Sequence, residues 1–136
     1  MTATTMSASS HGATRVLKVL SAILLLAVGG IHLFLVFDGV DGTLGLLFVL
    51  NAAAALVLAI AVLALRGMLL KLAVVLGLLF LLASLASLLL ALTVGLFGIT
   101  EVWSFTLVPQ TVVVDAIGIV VLAITTAVVL RRAPSA

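Results

Sequence analysis

The chain has 136 residues, of which 66% are hydrophobic and 7% charged, with a mean hydropathy of +1.63; soluble domains run at roughly 45–50% apolar and 25% charged. A compact domain of this length could not hide so much apolar side chain from water, so a soluble fold is excluded and lipid is the expected solvent. The formal charge of +2 comes from six Lys and Arg scattered along the chain, which make no nucleic-acid patch, and the lack of cysteine excludes disulfides, thiolate metal sites and cysteine nucleophiles.

Met1 to Thr14 is a run of Ser, Thr, Ala and Gly with no apolar periodicity, which predicts a disordered tail over residues 1–14, with His11 a solvated residue without a role. Arg15 and Lys18 then lead into an apolar run that ends at Phe37. From Leu17 it is about 21 residues, or ~30 Å as a helix, enough to cross a hydrocarbon core. A basic start before an apolar run also describes a signal peptide, and Ala27-Val28-Gly29 is a tolerable cleavage site. A signal core is only about 7–15 residues long, so the expectation is an uncleaved helix over 17–37. Asp38-Gly39-Val40-Asp41-Gly42-Thr43 reads as a tight turn, with Thr43 placed to cap the next helix. Its two carboxylates lack the alternating ligands and closing Glu of a calcium loop.

The next apolar run extends from Leu44 to Phe97 and is broken by basic charge only at Arg66-Gly67-Met68-Leu69-Leu70-Lys71. A cation at the centre of a membrane helix costs about 2.5–3.5 kcal/mol on insertion scales, so Arg66 and Lys71 belong at a membrane face with the chain turning back between them. This gives a second span over 44–65 and a third over 69–97. The third is longer than one crossing needs, and must tilt or extend beyond the bilayer. Gly98 to Gln110 mixes polar residues with Trp103 and Phe105, which suit headgroup level, and Pro109 marks entry to the last helix. A fourth span covers 111–130, closed by Arg131-Arg132 and a short tail, 133–136.

The fold expected is therefore all-α: an integral membrane four-helix up-and-down bundle over 15–132. Arg15, Lys18, Arg66, Lys71, Arg131 and Arg132 all fall on one side of four crossings, whereas the links on the other side carry Asp38, Asp41 and Glu101 and no cation. By the positive-inside rule both termini are cytoplasmic, and the expected location is a bacterial plasma membrane. Lipid supplies no hydrophobic drive between helices, so backbones should approach where small residues recur every fourth position. Ala83, Ser87, Ala91 and Gly95 make such a stripe on the third span, and Asn51, Ala55 and Ala59 on the second. Ser84 and Ser87 can bond back to their own helix and need no partner.

Three intramembrane side chains stand out by cost: His32, Asn51 and Asp115. Counted inward from the acidic links they lie roughly 7–10 Å deep, so a contact is possible. A His32–Asp115 pair with Asn51 completing a polar layer is the candidate site, because an unpaired charge in lipid is expensive and a His beside a carboxylate can exchange a proton near neutral pH. The alternative is that the three are hydrogen-bonded glue, or that Asp115 caps a helix that starts later. Thr93 and Glu101 are placed to line an entrance. Other chemistries fail on inventory. Haem ligation by two histidines and zinc binding lack intramembrane ligands, and there is neither a phosphate loop nor a nucleophile elbow. No cofactor is expected.

Four short spans in so small a chain invite comparison with the small multidrug resistance transporters, but those are built around a Glu midway along the first helix, where this chain instead has His32 near the far end. Gly29-Gly30-Ile31-His32-Leu33 before an acidic turn, Gly45-Leu46-Leu47-Phe48 opening the second helix, and Asp115 near the start of the fourth resemble small four-span actinobacterial membrane proteins of unknown function. That resemblance implies the four-helix fold and no particular activity. The functional expectation is a non-enzymatic accessory or scaffold subunit that packs with itself or another membrane protein in the lipid bilayer. The alternative is a proton-coupled carrier or channel using His32, Asn51 and Asp115.

Overall fold

The computed structural model describes the backbone of residues 2–132 and the side chains of residues 11–132; the 133–136 tail lies outside the described residues. Four helices follow one another: α1 (Thr2–Phe37), α2 (Gly42–Ala64), α3 (Gly67–Thr93) and α4 (Val108–Leu130). Each contains a segment long and apolar enough to cross a membrane. The links after α1 and α3 lie at one end of the bundle with the acidic residues, called here the acidic end. The link after α2 lies at the other, basic end.

Two expected boundaries move. The segment expected to be a disordered tail continues α1 back to Thr2. It contains no proline, and once the span has nucleated a helix each added residue gains one hydrogen bond for little further cost. The third helix stops at Thr93, not Phe97, but at 27 residues, or about 40 Å, it is still longer than one crossing of a hydrocarbon core needs. Gly95 adopts φ +87° and its N–H donates to Leu90 O at 2.8 Å, a left-handed glycine terminus that hydropathy does not register. The chain then doubles back through reciprocal Leu96–Ile99 bonds, and the Glu101 N–H donates to Ala91 O, laying the 94–107 link over the end of α3. At the start of α2 the cap position is Asp41 rather than Thr43, and no side chain bonds the free amides there.

α1 contacts both α2 and α4, α3 packs on α4, and α2 and α3 make the sparsest of these contacts. Three glycines let the helices approach closely. A Cβ on Gly29 of α1 would come within 2.7 Å of Ala55 Cβ on α2. Between α3 and α4 the fit is reciprocal: Gly77 receives Leu122, and Gly118 receives Leu81 so closely that a Cβ there would lie 2.7 Å from Leu81 Cδ1. Ser21 and Thr125 share a hydrogen bond of 2.9 Å between α1 and α4, deep in the bundle. Leu25, Leu81, Leu122, Val28, Val62 and Val74 fill the centre and are fully buried.

Ala55 and Ala59 of α2 are buried. The stripe expected on α3 is not its contact face. Ala83 and Ser87 are exposed, Gly95 sits in the turn, and Ala91 is the one buried member among the four. α3 instead turns Ala73, Val74, Gly77 and Leu81 inward. A mixed three- and four-residue step tracks the 3.6-residue helix, whereas a strict four-residue step drifts off the contact line as it climbs.

Candidate functional site: a cavity at the acidic end

α3 and α4 keep one antiparallel register from Gly77/Leu122 through Leu81/Gly118 to Ser84/Asp115, where the Ser84 hydroxyl donates to Asp115 Oδ2 at 3.0 Å. Asp115 has no exposed surface, and its Oδ1 has no partner. Ser84, read from the sequence as bonding back to its own helix, is therefore the carboxylate's partner. Nothing in a run of Leu, Ala and Ser distinguishes it until the register of α3 on α4 is known.

His32 is held differently. Its Nδ1 lies 2.8 Å from Val28 O, and because a carbonyl can only accept, the proton is on Nδ1. The ring meets Phe48 edge to face, with centroids 4.8 Å apart. The expected His32–Asp115 pair is not formed: each side chain is hydrogen-bonded to a partner that does not ionise. The counts of depth were similar, but depth alone leaves the rotation of each helix about its axis unspecified. Asn51 does share a surface with His32, and its Oδ1 is buried without a donor.

That shared surface is a cavity of about 310 Å³ among the acidic ends of the helices and the 94–107 link. His32, Asn51, Ser84, Ser87, Glu101, Thr106 and Thr111 contribute its polar groups, and no Lys or Arg lines it. Asp115 is not part of the lining and lies behind Ser84. Thr93, expected beside Glu101 at an entrance, instead donates to Leu89 O at 2.7 Å and is absent from the lining. The walls are otherwise apolar, and include Phe48, Phe80, Phe97 and Phe105, four of the chain's six phenylalanines. Their gathering was not legible in sequence, since they come from α2, α3 and the link.

Two hydroxyls of the lining have their hydrogens committed elsewhere: Ser84 to Asp115, and Thr111 to Leu107 O at 2.7 Å. Glu101 makes no ion pair or side-chain hydrogen bond among the described residues, and burial pushes its carboxyl above the usual carboxylate range. The link that roofs the cavity carries left-handed backbone at two residues other than glycine, Phe97 (φ 51°) and Leu107 (φ 64°). Such strain persists only where the surroundings hold it, and it collects at ligand clamps and switch segments.

At the basic end, His11 lies 3.5 Å from Arg132 Nη2, joining the start of the described α1 side chains to the end of α4. The solvated, roleless His11 expected from the sequence has this contact. No group of three or more His, Asp or Glu able to hold a metal occurs among the described residues. Comparison with protein-family models, curated proteins and solved structures finds no match for the chain.

Proposed function

We propose that this chain is an integral protein of a bacterial plasma membrane, with both termini cytoplasmic, that acts as a small non-catalytic accessory or scaffold subunit. Its outward surface supports the membrane placement: Val57, Ile60, Leu79, Ile117 and Val120 are about half exposed or more, as lipid-facing residues would be. The orientation rests on the grouping of all six cations at the end that holds both termini.

The observation that carries the accessory role is the filled centre. Below the cavity, Leu25, Leu81, Leu122 and Val74 close the bundle completely, and the two buried ionisable groups, His32 and Asp115, are not joined to each other. A proton carrier needs titratable groups in communication with both faces. The packed helices supply instead a rigid body with apolar flanks on which another membrane protein, or a second copy, can rest.

Reconstitution in liposomes carrying a trapped pH dye tests the reading. An imposed pH gradient should decay at the rate of empty liposomes, while the full chain extracted in native lipid discs should bring down a partner or itself in fixed ratio. Proton flux abolished by His32→Ala or Asp115→Asn would replace this role with that of a carrier.

A further inference from the structure

The geometry points to the acidic-end cavity as a binding site for a small lipophilic amine in its protonated, ammonium form. The ionisable groups that line it offer lone pairs: the Glu101 carboxylate, and His32 Nε2, left with one because the ring proton is on Nδ1, while the Ser87 and Thr106 hydroxyls can turn to accept as well as donate. Ser84 and Thr111 have already spent their hydrogens, so they too offer lone pairs. An acceptor-rich pocket without a cation is matched by a ligand that brings both donors and positive charge, and an ammonium group brings three N–H donors.

The walls select the rest of the molecule. Phe48, Phe80, Phe97 and Phe105 give an apolar lining that suits an aryl or alkyl body, and aromatic faces attract a cation at close range. At about 310 Å³ the cavity stands at the lower end of the range of small-molecule sites, so it fits one ring with a short chain and not a two-tailed lipid. An anionic amphiphile finds no counter-ion, because no Lys or Arg lines the cavity and Asp38 and Asp41 lie at the same end. Those carboxylates raise the local concentration of a cation and depress that of an anion. The site goes beyond the accessory role, and either can stand without the other.

The test uses the full chain in detergent and isothermal titration with three probes of similar shape: 2-phenylethylammonium, propylbenzene and 3-phenylpropanoate. The ammonium should bind saturably and the carboxylate should not. Glu101→Gln should weaken the ammonium about tenfold or more and leave propylbenzene unchanged, which also shows that the cavity is intact in the variant. Equal affinity of the ammonium for the wild type and Glu101→Gln overturns the proposal, as does binding of the carboxylate as tight as that of the ammonium, or no saturable ammonium binding at millimolar concentration.

Discussion

Gly29→Ala should destabilise the bundle, whereas the same change one residue along, Gly30→Ala, should not. A methyl on Gly29 would lie 2.7 Å from Ala55 Cβ and 3.4 Å from Ala52 O, while one on Gly30 meets nothing within 4 Å. Carbon atoms rest at about 3.5–4.0 Å, so α1 and α2 would have to part by about 1 Å. Ala55 Cβ is fixed to the backbone and has no rotamer with which to yield. Both substitutions gain the same helix propensity, about 0.8–1.0 kcal/mol at most. Their difference therefore isolates the cost of forcing the helices apart, expected at about 1–3 kcal/mol. That separation forfeits dispersion contacts between the two closely packed backbones. Unfolding by sodium dodecyl sulfate titration in mixed micelles measures the difference, and adding Ala55→Gly to Gly29→Ala should recover at least half of it. Two variants of equal stability, or no recovery in the double substitution, would refute a backbone contact at this position.

Ser84→Ala should cost about 1–3 kcal/mol, because it leaves both oxygens of a fully buried carboxylate without a donor; Asp115→Asn keeps an acceptor for Ser84 without a charge and should be no less stable in the same titration. Leu122→Ala empties the groove beside Gly77 in the closed centre and should cost about 2–5 kcal/mol. Since burial raises the Glu101 pKa in the folded state, the folded chain holds its proton to higher pH than the unfolded one, and stability falls as pH rises from about the ordinary value of 4.5 through the raised value. Glu101→Gln should flatten that decline in a pH series of unfolding midpoints. Because the chain has no cysteine, Asp41→Cys and Met68→Cys, the latter at an exposed position, give clean single labels: an impermeant maleimide added to whole cells should modify the first and spare the second, and the reverse would invert the proposed topology.

The number and order of helices were legible because hydropathy marks long apolar helices, and charge the breaks between them, directly. Arg66 and Lys71 divide what would otherwise be one long apolar run, and the break in the structure falls between Ala64 and Gly67. The end of α3 was not legible from hydropathy, because Val94, Leu96 and Phe97 are as apolar as the helix before them. Only the left-handed Gly95 says that the helix is over. The site was half legible. His32 and Asn51 line one cavity, but Asp115 turns to Ser84, because cost and depth pick out residues without saying which way a helix face is rotated. The small-residue stripes failed on α3 for a related reason. Among many Ala and Gly, those that matter are the ones opposite a bulky neighbour, such as Gly77 facing Leu122 and Gly118 facing Leu81.

That last pair of fits also limits how the molecule can move. If α4 slid one turn along α3 in one direction, Leu81 would be driven onto Leu122; in the other direction Gly77 and Gly118 would face each other across empty space. The two helices are geared like teeth, with a single comfortable setting. The seam between α2 and α3 is far more sparsely packed, and residues of both helices along it also line the chamber beneath the 94–107 roof.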